Sequence, residues 1–227
     1  MGKIKIAIDG PAGAGKSTVA RLLASEMKYG YIDTGAMYRA LTLIVLRNDV
    51  DWENEKAIAE LFNNHSISQR GEITLLDNED VSVEIRTNHV SRAVSMVCRH
   101  ADVRKKMVKL QREFAGNGGI VMDGRDIGTV VLPDAEMKVF LIASAEERAK
   151  RRMKDLVEIG KPLPFDEVLQ NILNRDRLDS TRTLAPLKQA EDAFVLDTTD
   201  LPIEEELQIL VKIAREKEKE HNNAGRH

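Results

Sequence analysis

The 227-residue sequence contains one cysteine, Cys98, so no intrachain disulfide can form, and a reducing compartment is implied. No apolar run approaches the roughly 18 residues that a membrane span needs. The N-terminus enters a β-branched run directly, with none of the layout of a secretory leader. Met1-Gly2 opens like a myristoylation signal, but position 6 is Ile where that signal takes Ser or Thr. A net charge of −3 gives no excess of either sign that would recruit nucleic acid or a membrane surface. Internal repeats are absent. The remaining composition, 42% hydrophobic and 31% charged, is that of an ordinary soluble domain long enough to bury a substantial core. The expectation is a cytoplasmic protein with neither a nucleic-acid nor a membrane partner.

What is present begins at residue 3. Lys3-Ile4-Lys5-Ile6-Ala7-Ile8-Asp9 reads as a strand and leads into Gly10-Pro11-Ala12-Gly13-Ala14-Gly15-Lys16-Ser17-Thr18. An amphipathic helix follows, with Val19, Leu22, Leu23 and Met27 on one face. This is G-x-x-x-x-G-K-[ST] in the strand–loop–helix context that the pattern requires. Gly10, Gly13 and Gly15 lack a Cβ, so the backbone can turn sharply and aim its N–H groups at phosphate oxygens. Those donors sit at the positive end of a helix. Lys16 adds a mobile charge for the outer phosphates, and the Ser17 hydroxyl can ligate Mg²⁺. Residues 10–18 are therefore expected to hold a nucleoside triphosphate.

Strands at 29–33, 120–123, 137–143 and 193–197 alternate with helices, starting near 34, 53, 88, 102, 144, 166 and 203. Near-continuous apolar strands such as Met137–Ala143 suit a parallel sheet covered on both faces. The expected fold class is α/β, a three-layer αβα sandwich with a five-stranded parallel sheet of the P-loop NTPase type. Three short strands at 66–69, 72–76 and 80–83 interrupt the alternation as a small antiparallel insert. Ser144 and Glu147 form a capping box for a helix reaching to about 159. Gly160-Lys161-Pro162-Leu163-Pro164 breaks it before the next helix. The expected organisation is a core of 1–63, 86–147 and 181–216, inserted strands at 64–85, an arginine-rich helical lid at 148–180, and a frayed polar tail at 217–227.

A P-loop alone also fits GTPases, transporters and helicases, but the sequence has no N-K-x-D and no L-S-G-G-Q segment. Three further constellations narrow the reading. Asp33-Thr34-Gly35-Ala36-Met37-Tyr38-Arg39 places a hydroxyl beside a helix N-terminus with an arginine one turn in, a second anion site. Standing alone, it reads equally as an N-cap and a solvated arginine. Asp123-Gly124-Arg125-Asp126-Ile127-Gly128-Thr129 follows a core strand, where open α/β sheets bind ligands, or is a structural turn. Arg148, Arg151 and Arg152 on one helix, then Arg175, Asp179 and Arg182 spaced i, i+4, i+7, form an arginine-rich helix–loop–helix. Such runs are usually solvated faces. On a protein that must close over polyphosphate they have the makings of a lid.

Taken together, these residues resemble the bacterial CMP (cytidylate) kinases of the nucleoside monophosphate kinase group. The resemblance rests on Ile8–Thr18, Asp33–Arg39, Asp123–Val131, Glu146-Glu147-Arg148-Ala149, and Arg175-Asp176 with Asp179 and Arg182. It spans nearly the whole chain, insert included; Thr34 stands where the family often has serine. It implies transfer of the γ-phosphoryl group of ATP to CMP or dCMP with Mg²⁺, by a monomer. Carried over by position, Thr34, Arg39, Ser95, Arg104, Arg125, Asp126, Arg175, Asp179 and Arg182 would form the CMP site. Arg39, Arg125 and Arg175 could grip the dianionic phosphate. Asp126 could accept from the cytosine amine while Ser95, Arg104 or Arg182 donate to ring acceptors. Asp179 could accept from the ribose hydroxyls. Lys16, Arg125, Arg148, Arg152 and Arg175 are the expected catalytic groups, Arg148 and Arg152 as lid charges and Ser17 as the Mg²⁺ ligand. Another small-molecule P-loop kinase, or a non-catalytic nucleotide-gated binding protein, are the alternatives. The insert and the 123–129 segment argue against the first.

Overall fold

The computed structural model describes residues 2–158 and 160–224. The alternation of apolar runs expected from the sequence becomes a five-stranded sheet made of β1 (Lys5–Asp9), β2 (Gly30–Asp33), β6 (Ile120–Gly124), β7 (Met137–Ile142) and β8 (Phe194–Asp197). Its order is β2-β6-β1-β7-β8. β1 is central and pairs in parallel with β6 (Ile8 opposite Asp123) and β7 (Ile8 opposite Val139), and β7 pairs in parallel with β8. The chain divides into two compact units, residues 1–31 with 117–227, and residues 32–116.

In the first unit, helices α1 (Lys16–Met27) and α8 (Ile203–Ala224) pack on the sheet. Ile4, Ile6, Ile8, Val19, Leu23, Val121, Val139, Leu141 and Leu210 bury their side chains in one core. Burying side chains of this size stabilises by roughly 1.5–3 kcal/mol each. Helices α6 (Ala145–Glu158) and α7 (Phe165–Thr181) form a hairpin with a small core of its own, Ala149, Leu156, Val168 and Ile172. Ser144 Oγ accepts the Glu147 N–H at 3.2 Å, one half of the expected capping box. The other half is not made, because the Glu147 carboxylate turns to Arg151 and Lys150 one turn on. The expected end of this helix at 159 lies outside the described residues.

The expected frayed tail is a correction. α8 continues as helix through Ala224, and residues 225–227 lie outside the described set. Its polar residues are tied to distant parts of the same unit. The Tyr29 hydroxyl donates to Glu218 Oε1, Asn222 bonds Gly2 through both N–H and C=O, and His221 faces Glu136 at 3.3 Å.

The second unit holds α2 (Thr34–Arg47), α3 (Glu55–Asn63), α4 (Asn88–Val97), α5 (Ala101–Ala115) and the antiparallel sheet of β3 (Ile67–Arg70), β4 (Ile73–Leu76) and β5 (Glu79–Asp80). The third inserted strand is shorter than expected. The Ser82 N–H and hydroxyl both turn back onto Asp80 Oδ1, and the Ser82 hydroxyl oxygen takes the Thr74 N–H in place of a backbone rung. A single 3₁₀ turn, Glu84–Arg86, follows. Arg47 ties this insert to the end of α2 through Glu79 at 2.8 Å and Glu84 at 2.5 Å. No helix among the described residues is long and apolar enough to cross a membrane.

Candidate functional site: the phosphate loop and the arginine cluster

In the first unit the loop after β1 turns where only glycine fits. Gly10 has φ +150°, and a Cβ there would lie 2.2 Å from the Leu141 carbonyl oxygen. Gly15, at φ 83°, caps α1 with no side chain of its own to take up the first N–H groups of that helix. Lys16 Nζ donates to the Pro11 carbonyl at 2.6 Å and is buried. The lysine is thus anchored across the loop rather than mobile, because its ammonium has left water and must find an oxygen. Burial, then the nearby Arg125, pushes the Lys16 ammonium well below its ordinary value, with Asp123 opposing.

The Ser17 hydroxyl donates to Asp123 Oδ2 at 2.8 Å, and the Tyr31 hydroxyl to Asp123 Oδ1 at 2.8 Å. A hydroxyl oxygen and one carboxylate beside a phosphate loop form the donor set that suits Mg²⁺, which takes most of its remaining ligands from phosphate and water. Arg148 reaches the loop from α6. Its Nη1 donates to the Ala12 carbonyl at 3.1 Å and pairs with Asp176 on α7 at 2.7 Å. Arg152 is half-exposed and lies 3.8 Å from Asp155.

β6 ends in the segment that carries Arg125 and Asp126. Asp126 precedes a five-residue π-turn, Ile127–Val131. That turn is held by Asp9, whose two carboxylate oxygens accept the Ile127 N–H at 2.8 Å and the Gly128 N–H at 2.7 Å. Asp9 is buried, and burial pushes its carboxyl up to about 6 in spite of those two hydrogen bonds. A folded-state value above the unfolded one means that the folded protein takes up a proton first as pH falls. Asp9 should therefore add stability as pH drops from about 6 towards 4, and withdraw it as pH rises through 6. The check is a melting series across pH 4–7. Asp9→Asn should flatten that slope, and an unchanged slope would show that another group causes it.

Arg125 Nε donates to Asp179 Oδ2 at 2.9 Å, and Arg182 lies 3.9 Å from Asp179 Oδ1. Burial works to raise the Asp179 carboxyl, but Arg125, Arg175 and Arg182 outweigh it and hold it below the usual range. The structure therefore brings Arg175, Asp179 and Arg182 near one another, as the i, i+4, i+7 spacing implied, and adds Arg125 from the end of β6. Arg182 Nε and Nη2 are buried without hydrogen-bond partners. Orphaned guanidinium donors of this kind are costly unless an anion or ring acceptor meets them.

In the second unit, Asp33 caps α2. Its Oδ1 accepts the Ala36 N–H at 2.7 Å and its Oδ2 holds Arg39 at 3.1 Å. Thr34 is buried in the first turn, and Arg39 Nε is another buried donor without a hydrogen-bond partner. Arg104, on α5, is buried; it donates to the Cys98 carbonyl at 3.3 Å and sits 5.4 Å from the Tyr38 ring centroid. Ser95 is half-buried on α4.

The cytidylate kinase family model matches residues 6–216. The chain belongs to the cytidylate kinase family. A cytidylate kinase of Bacillus pumilus is 53% identical over 207 residues, covering 89% of this chain and 92% of that protein. One of Enterococcus faecalis is 50% identical over 221 residues, covering 96% and 98%. Among solved structures, an uncharacterized protein of Eubacterium ventriosum shares the fold with a TM-score of 0.54 at 12% identity, covering 94% of this chain and 99% of that one.

Within this cytidylate kinase fold, three contributors escape a motif-by-motif reading. Asp123 holds Ser17, a partnership that its place at the head of the 123–129 segment does not announce. Asp9 ties the phosphate loop to the Asp126 turn across 118 residues, a pairing no spacing announces. Arg151, one of three arginines on α6, bonds Thr198 through its Nη1 at 3.1 Å, whereas the family resemblance points to Arg148 and Arg152.

Proposed function

We propose that this protein transfers the γ-phosphoryl group of ATP to CMP, and to dCMP, giving ADP and CDP or dCDP. The observation that carries this reading is the buried Lys16 inside the glycine loop, beside the Ser17–Asp123 pair, in a chain that matches the cytidylate kinase family over 6–216. Residues 10–18 hold the triphosphate of ATP. Ser17, with Asp123 behind it, would hold Mg²⁺, which when bound offsets charge on the β- and γ-phosphate oxygens.

CMP is held by Thr34, Arg39, Ser95, Arg104, Arg125, Asp126, Arg175, Asp179 and Arg182. Buried guanidinium donors with no hydrogen-bond partner, on Arg39 and Arg182, support an anionic or acceptor-bearing ligand. Asp126 accepts from the exocyclic amine of cytosine, whereas it would face the carbonyl of uracil at that position. A site built on such bonds rejects the wrong base because its own polar groups are left unpaired.

No general base is required, since the CMP phosphate oxygen is already an anionic nucleophile. The protein supplies alignment, neutralisation and exclusion of water. Lys16 and Arg148 already sit against the loop, and Arg125, Arg152 and Arg175 add positive charge. The hairpin of α6 and α7, with its separate small core, acts as a lid that shuts before transfer so that water does not take the phosphoryl group. The protein works as a cytoplasmic monomer. Coupled ADP release measured over a panel of nucleoside monophosphates tests the reading, with CMP expected as the best acceptor.

A further inference from the structure

Gln69, on the edge strand β3 of the inserted sheet, makes contacts that its strand does not need. Its backbone is already paired across the β3–β4 ladder, opposite Thr74. Its side-chain amide instead grips the backbone of Asp33 on both sides. The Asp33 N–H donates to Gln69 Oε1 at 3.0 Å, and Gln69 Nε2 donates to the Asp33 carbonyl at 2.8 Å. The amide thus stands in for one rung of a neighbouring strand at the residue where β2 passes into α2.

Asp33 is also the residue from which the start of α2 is organised. Its two carboxylate oxygens fix the first turn through the Ala36 N–H and hold Arg39. Fixing the Asp33 backbone therefore fixes where the carboxylate points, and with it the placement of Thr34 and the Arg39 guanidinium. The pair is half-buried, so water competes poorly for either bond.

We infer that Gln69 is a positioning residue for the acceptor phosphate: the inserted sheet uses its amide to set the Asp33 cap, and through it Arg39. The inference rests on the proposed role of Thr34 and Arg39 as holders of the CMP phosphate. The insert is then part of the acceptor site by way of one side chain, without touching the ligand.

The test compares Gln69→Ala, Gln69→Glu and Arg39→Ala with the unaltered protein, reading KM and kcat for both substrates and the affinities for CMP and for cytidine. Losing two hydrogen bonds should raise KM for CMP roughly five- to tenfold, with kcat and KM for ATP within about twofold. CMP affinity should fall while cytidine affinity stays, since only the phosphate contacts are misplaced. Gln69→Glu keeps the acceptor but sets a carboxylate oxygen against the Asp33 carbonyl, so it should be at least as impaired as Gln69→Ala. An equal loss of CMP and cytidine binding would overturn the inference by showing a merely structural role. So would an unchanged CMP-to-cytidine ratio in Gln69→Ala when Arg39→Ala lowers it. If Arg39→Ala itself leaves the ratio unchanged, the phosphate-holding role of Arg39 fails, and the inference with it.

Discussion

Replacing Lys16 with methionine is expected to lower kcat by at least about 10³-fold while leaving the melting temperature unchanged or higher. The two halves of that expectation have different origins. In the proposed function Lys16 supplies a full charge at the outer phosphates, where the low local dielectric makes each preorganised donor worth far more than in water. In the protein alone the same charge is a burden. It is buried, bonded to a carbonyl at 2.6 Å, and repelled by Arg125 and Arg175, with Asp123 and Asp9 offsetting only part of the burial and repulsion. Methionine fills similar space without that penalty. A loss of activity with equal loss of stability would mean that Lys16 acts by holding the loop together. Steady-state kinetics beside a thermal melt decide the matter.

Arg125→Ala should lose both activity and stability. Arg125 is the nearest partner of the buried Asp179, at 2.9 Å, and its Nη1 also donates to the Gly124 carbonyl at 3.2 Å. Removing it leaves a buried carboxylate with Arg182 no nearer than 3.9 Å. Breaking a buried pair from one side costs about 3–5 kcal/mol, and this pair, partly open to water, should sit near the lower end. Under its proposed role of gripping the acceptor phosphate, its removal should also reduce kcat/KM for CMP by about 10²–10³-fold. Arg125→Lys keeps the charge but not the fork, so it should recover much of the stability and less of the activity. If Arg125→Lys is as active as the unaltered protein, the bidentate grip is not needed. Urea titrations and CMP saturation curves separate these outcomes.

The contrast between these residues and others shows what sequence can carry. The glycine loop was legible because its chemistry is local: glycine, lysine and hydroxyl act within nine residues of chain, and strand and helix flank them. The arginine cluster was half legible. Spacing of i, i+4, i+7 put Arg175, Asp179 and Arg182 on one side of a helix, but nothing local showed that Arg125 closes the cluster or that Arg148, rather than Arg152, lies on the loop. Asp9 and Gln69 were not legible at all. Each acts through hydrogen bonds to backbone groups 118 or 36 residues away, and backbone groups carry no sequence signature. The helical end of α8 was hidden for a related reason. Its composition from Lys217 on is that of a solvated tail, and it is fixed by Tyr29 and Gly2 from the other end of the sequence and by Glu136 from its middle. The shortened β5 failed in the opposite direction: a β-like pattern over 80–83 lost to a local serine–aspartate turn.

In the proposed function a triphosphate loop is joined to a site that reads cytosine. ADP release with CMP, dCMP, UMP, AMP, GMP and dTMP as acceptors, in the unaltered protein and in Asp126→Asn, probes that union head-on. CMP should have the highest kcat/KM, CDP should form in equal amount to ADP, and Asp126→Asn should narrow the CMP-to-UMP ratio. A different preferred acceptor, or a ratio untouched by Asp126→Asn, would contradict it.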